Sequence, residues 1–461
     1  MAGCVARTHA TPNPPVCHNA GLTRFFPVLA VLLACCGAAL AQDSATAESF
    51  HLYTDHPRLL LDAHRLRLLR RERERQTMRW VQFETLIRGG ATMPEPGFAF
   101  ALYHAIAGDR TAGEKAVSWS ATATDLRQLA LVFDWCQDVL DEGRRHLLAG
   151  RIAKLLAAQQ GENTSAVRDR ALAAIAMADE DPTASERVLT DIVRGWWRTK
   201  TAPRLVAGDL IIAHADLYPL EEMMHVLRDN LRIDLRENAR DYFTHLPQYE
   251  LASYYPAILQ DGDTDYRIPA YRGHGEPDIR RATMSRAAEL ALVAYDTNAR
   301  ETQYVQGWLM QDRFLLRDAL GAPYEFLWGN PYQPGLSYMQ LPLSDYDPTS
   351  GALFVRSSWD DDAVWFGRVD GELQLFDNGA AHPMGAQPAR IGDALVVRGP
   401  APVRFTAPGE LSWVVGLTPR HPYLAEVDDE EMTELETDRD GTLALHLPKG
   451  ASAHVIVTAR R

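Results

Sequence analysis

Cysteine is scarce: the chain has five in 461 residues, and Cys4, Cys17, Cys35 and Cys36 all precede residue 42. Loss of that leader leaves Cys136, in LVFDWCQDVL, which excludes an intramolecular disulfide framework. Without a partner motif it reads as a buried small hydrophobe rather than a nucleophile. Positive charge is also in deficit, with 47 Lys and Arg against 61 Asp and Glu, a net charge of −14. This argues against a general nucleic-acid or anionic-membrane binder, while leaving room for a local basic patch that holds an anionic sugar. Beyond FFPVLAVLLACCGAALA (25–41) no apolar run reaches the ~18 residues a spanning helix needs, so no transmembrane segment is expected in the mature chain. Several catalytic signatures are missing. GDRTAGEK (108–115) lacks the Gly-Lys-Ser/Thr end of a P-loop, and neither HExxH nor GxSxG occurs. EEMMH (221–225) supplies one Glu-x-x-His where a di-metal bundle needs two. DGDTD sets Asp261, Asp263 and Asp265 at the spacing of a calcium loop, but Tyr266 and Arg272 stand where its glycine and closing glutamate belong. No cofactor is therefore expected.

The run at 25–41 follows Arg24 and ends in Ala39-Leu40-Ala41, the pattern of a signal peptide cleaved before Gln42. Read instead as a lipobox, Leu32-Leu33-Ala34-Cys35 would leave a lipid anchor on Cys35. Either way the expectation is an exported protein, periplasmic or secreted.

Hydrophobic content of 46% and charged content of 23% are those of a globular chain, and the length suggests two domains. Their boundaries are read as 42–340 and 341–461. The first is a series of helical patterns at 56–76, with Asp62 as N-cap, and at 98–108, 123–141, 144–160, 167–178, 184–200, 218–243 and 279–296. Short joins make these antiparallel hairpins, and the lack of a strict repeat favours a ring of unlike hairpins over a solenoid. Two segments break the pattern: 251–278, rich in tyrosine and acids, reads as a cleft lining, and 321–342, rich in Pro, Gly and aromatics, as a connection. From GALFVRSSWDDDAVWFG onward the period becomes two, with turn residues between, as in an antiparallel sandwich.

HPRLLLDAHRLRLLR (56–70), LALVFDWCQDVLDEG (129–143) and LFVRSSWDDDAVWFG (353–367) together resemble the heparinase II/III-like group of polysaccharide lyases. The resemblance implies an α+β chain: an incomplete (α/α) toroid of helical hairpins followed by a β-sandwich, with the active site between them. It also implies β-elimination on a uronic-acid polysaccharide or oligosaccharide, for which one group neutralises the sugar carboxylate, a base takes the C5 proton and an acid protonates the leaving oxygen. The group commonly uses an Asn/His pair on a toroid helix, a tyrosine and a β-strand histidine. The corresponding helix here (166–182) offers Arg168 and Arg170 with no Asn-His pair, and the β-strand region keeps only His382.

The candidates for chemistry are Tyr254 and Tyr255 as base or acid, Arg272 as a bidentate carboxylate clamp with His274 as base, and His382 from the β module. Tyr271, Glu276, Trp308 and Trp328 are candidate substrate contacts. Two alternatives stay open. A toroidal glycoside hydrolase would pair carboxylates such as Glu276, Asp278 and Glu325. A glycan-binding relative without the lyase site would keep the aromatic walls alone.

Overall fold

The computed structural model describes residues 50, 55–273, 278–312, 315–330 and 332–457. The leader, His274 and Glu276 lie outside them. The described residues belong to one compact unit, and its class is α+β, as expected: helices up to Tyr338–Gln340, and layered, mainly antiparallel sheets from Ser344–Asp347.

Helix starts follow the sequence signals. Asp62 caps Ala63–Glu74 by accepting from Arg65 N at 2.7 Å, and Asp125, Asp141, Asn163 and Asp278 cap their helices in the same way. Each satisfies one of the backbone donors a helix leaves open at its N-terminus. The apolar helices Pro96–Ala107, Leu126–Trp135, Thr164–Ala176, His214–Leu231, Ile279–Tyr295 and Gly321–Trp328 pack each against the next. The last returns to Met78–Arg88 and Pro96–Ala107. Two readings are corrected here. Residues 218–243 hold a break, His214–Leu231 ending at Arg232 in the left-handed region (φ 60°) before Arg240–Ala252 begins. Gly321–Trp328, read as irregular from its Pro and Gly, is a helix, because both stand in or before its first turn, where proline costs no hydrogen bond.

Two of the motifs quoted above hold each other. Asp134 Oδ2 accepts from the backbone N–H of Arg58 (2.9 Å) and Leu59 (2.8 Å), Trp135 Nε1 donates to the Leu59 carbonyl (2.8 Å), and His56 Nδ1 lies 2.5 Å from Asp134 Oδ1. HPRLLL and FDW are therefore a clamp within the scaffold.

The β region is three stacked sheets. Strands Ser344–Asp347, Ala352–Arg356, Trp365–Val369, Glu372–Asp377 and Ala380–Pro383 form an antiparallel meander in chain order. The middle sheet orders Leu443–His446, Leu411–Val415, Ala394–Arg398 and Ala389–Ile391, with its central pair parallel. The outer one holds Val403–Thr406, Ser452–Val457, Pro422–Val427 and Glu431–Glu436. Alternation decides what each face meets. Phe354, Trp365 and Phe376 join the helical core, while Leu353, Val355 and Phe366 face Val396, Trp413 and Val415 of the middle sheet. Leu395, Val397 and Val414 face the outer sheet. The first sheet is thus covered on both sides, and Ala352–Arg356 is buried along its whole length.

Candidate functional site

A cavity of about 290 Å3 opens where the helices meet the first sheet. His214, the first residue of its helix, reaches it from one side. Glu250 and Ser253, from the last turn and C-cap of Arg240–Ala252, stand behind His214. His214 Nδ1 is 2.7 Å from Glu250 Oε2, a close ion contact rather than a well-aligned hydrogen bond. Nε2 is 2.9 Å from Ser253 Oγ, whose hydroxyl also donates to the Glu250 carbonyl at 2.8 Å. Serine, histidine and glutamate stand in the order of an acyl-transfer triad, but the hydroxyl proton is spent on that carbonyl. Ser253 is also only 2% exposed. Its oxygen is left to accept from His214, so Ser253 and Glu250 orient the imidazole. Burial alone would lower the His214 pKa. The Glu250 carboxylate, with Glu289 and Asp370 further off, outweighs it and holds the ring above its ordinary value.

The other walls come from Tyr271 and Arg281. The segment from Ser253 doubles back on itself: Ala270 N–H donates to the Ser253 carbonyl (2.8 Å), Tyr255 N–H to that of Ile268 (3.3 Å), and Tyr254 bridges Pro269. This return carries Tyr271 to the cavity. Arg281, in the first turn of Ile279–Tyr295, sets its guanidinium 4.2 Å from the Tyr271 ring centroid, a cation–π distance. From the first sheet come Arg368 and Asp370, and from the turn before Leu443–His446 comes Asp440. Arg368 donates to Thr442 Oγ1 (2.7 Å) and sits 3.5 Å from Asp440. Gly351, at φ +77°, packs so closely on Asp440 that a Cβ would collide with it. A second hollow of about 450 Å3 shares Ile211, Tyr249 and Ser350 with the first. There His245 Nε2 lies 2.6 Å from Asp345 across the helix–sheet contact.

The structure places the sequence-derived candidates as follows. Tyr271 lines the cavity. Tyr254 is buried, its ring edge-on to His214 at 6.2 Å and packed on Trp308. Tyr255 donates to Gln374 Oε1 at 2.6 Å and packs on Trp365 and Phe376. Burial pushes both phenols well above their ordinary values. Trp308 stays in the buried cluster with Tyr254. Arg272 is exposed. His382 is on the edge strand, 2.9 Å from Asp377, whose carboxylate raises it. Trp328 is at the opposite end of the helices, between Arg65 and His225. Asp261, Asp263 and Asp265 are on and beside the hairpin of Leu259–Asp261 with Thr264–Tyr266, and among the described residues no group of three His, Cys, Asp or Glu could hold a metal ion. Asp278 is spent as a helix cap, and Glu325 is half-buried, its carboxyl raised by the loss of solvent around it.

His214, Glu250, Ser253 and Arg368 carried no sequence signal, since they lie in separate elements and share no motif spacing. No helix among the described residues is long and apolar enough to cross a membrane. The chain matches no known protein family and no curated protein.

Proposed function

We propose that this chain is an exported polysaccharide lyase of the heparinase II/III-like kind, cleaving a uronic-acid glycan by β-elimination. In this reading the ring of successive helices is an incomplete (α/α) toroid and the stacked sheets are its β-sandwich. One observation carries it: an imidazole held above its ordinary pKa, a phenol and a guanidinium line a single cavity at the boundary of the two.

Their chemistry suits the three tasks of elimination. Arg281 neutralises the sugar carboxylate, which acidifies the C5 hydrogen, while His214, its two ring nitrogens held by Glu250 and Ser253, walls the cavity beside it. Tyr271 takes that proton, with Arg281 compensating the charge the phenol carries when ionised. The C5–H electrons form the C4–C5 double bond, the C4–O bond breaks, and the leaving oxygen takes up the proton from Tyr271. The adjoining hollow along the helix–sheet boundary gives a polymer room to continue.

The test is the ultraviolet absorbance of the unsaturated uronate, followed with purified protein on glucuronate- and galacturonate-containing polymers. One polymer should give a rise that Tyr271→Phe cuts by about 100-fold or more, the usual worth of general acid–base catalysis. A flat trace on every polymer would overturn the catalytic reading, and binding without cleavage would identify a glycan-binding protein.

A further inference from the structure

At the far end of His214–Leu231, Arg228 lies 14 residues beyond His214, about 21 Å along the axis at 1.5 Å per residue, with Asp229 next to it. There the C-terminal ends of three helices, His214–Leu231, Ile279–Tyr295 and Gly321–Trp328, border a cavity of about 500 Å3. It has no residue in common with the cavity at the sheet boundary.

In a chain of net charge −14, this cavity is lined by five arginines, Arg65, Arg71, Arg75, Arg79 and Arg228, against three carboxylates. All three carboxylates are engaged. Asp62 caps a helix, Glu72 accepts from Arg79 at 3.0 Å, and Asp229 accepts from Arg228 at 3.2 Å. Some of the positive charge is also spent on helix ends: Arg79 donates to the Gly329 carbonyl and Arg228 to that of Tyr295 (2.5 Å), offsetting their negative dipole ends. Arg65 has only a long contact to the Leu327 carbonyl (3.4 Å) and the face of Trp328 (4.2 Å). No described carboxylate lies within ion-pair distance of Arg65, Arg71 or Arg75. A second feature is independent of charge. Gln333 lines the same cavity, is 5% exposed, and directs its amide nitrogen to the Thr297 carbonyl, so its Oε1 is buried with no hydrogen-bond donor. A buried acceptor in that state is costly unless a partner arrives.

We propose that this cavity is a second binding site, for a small polyhydroxylated anion: a sugar acid or a sugar phosphate. Its anionic group faces Arg65, Arg71 and Arg75, and one of its hydroxyls donates to Gln333. Trp328 contributes no open face, since Arg65 and His225 cover it on two sides.

Titration calorimetry of the full chain at low salt, with D-glucuronate, glucose 6-phosphate, glucose and inorganic phosphate, tests this. Glucuronate or glucose 6-phosphate should bind, which of the two identifying the anionic group, and both neutral glucose and bare phosphate should bind much more weakly. The variant Arg71→Ser/Arg75→Ser, altered only at exposed positions, should lose about tenfold in affinity or more, the scale of a lost charge-assisted hydrogen bond. Arg281→Ser should leave this affinity unchanged, which separates it from uronate binding at the sheet boundary. The proposal is overturned if neither sugar anion binds, if the double variant binds as the parent does, or if bare phosphate binds as tightly as its sugar ester.

Discussion

Glu222 is the residue whose replacement gives the sharpest stability prediction. It lies midway along His214–Leu231 with no exposed surface. Its carboxylate accepts from Arg127 twice (2.8 and 2.7 Å), from Arg168 (2.7 Å) and from the Tyr218 hydroxyl (3.0 Å). It thereby neutralises charge contributed by two neighbouring helices. Burial would raise its pKa, but the two guanidiniums prevail and hold it below the ordinary carboxylate range. Glu222→Gln keeps the shape and removes the charge. Breaking a buried pair costs about 3–5 kcal/mol. The lower end applies, because Arg127 keeps Glu95 (2.9 Å) and Arg168 keeps Asp169 (2.6 Å). Taking an unfolding entropy of about 2 cal/mol/K per residue over roughly 400 residues, a loss of about 3 kcal/mol lowers the melting midpoint by roughly 4 °C. Calorimetric melts at neutral pH would measure it. Arg168→Met leaves Glu222 doubly bonded to Arg127 and should cost about half as much. A Glu222→Gln midpoint within about 1 °C of the parent, or Arg168→Met proving the more harmful, would refute the argument.

Two further outcomes follow from the geometry. The His214 pKa is raised in the folded state, so its pairing with Glu250 stabilises fully below the unfolded value of about 6.5 and is lost as pH rises through the higher folded value. Glu250→Gln should therefore lower the melting midpoint more at pH about 6 than at pH about 9, and an equal gap at both would sink this account of the pair. Gly307, inside Arg300–Gln311, is crossed by the backbone of Gly335 and Leu336, and a Cβ there would strike the Leu336 carbonyl. Gly307→Ala should destabilise by about 2–3 kcal/mol as the crossing segment is pushed off the helix, and a denaturant midpoint equal to the parent's would contradict that close approach.

The scaffold was legible wherever the causes are local. Asp62, ahead of an apolar-periodic run, became an N-cap, and Val355, Phe366 and Trp365 alternate as a period of two requires. Where local signals conflict, the reading slipped. The Pro and Gly at Gly321–Trp328 suggested a loop, yet both fit a helix start. In the strand Ser344–Asp347, two aspartates hid a pairing partner for Ala352–Arg356. Tyr254 and Tyr255 looked alike as neighbours, but the return of the chain through Pro269 and Ala270 turns both inward and delivers Tyr271 to the cavity instead.

The class, the order of helices before sheets and the cap at Asp62 are legible in the chain alone, because caps and periodicity act within one or two turns of the residues that cause them. Which charged groups meet is set by long-range packing. His214 and Glu250 are joined by the return of one helix beside another, and Arg127 and Glu222 by the packing of the helices that carry them. The pKa of His214 depends on burial and on a partner distant in the chain, and neither quantity exists until the chain has folded.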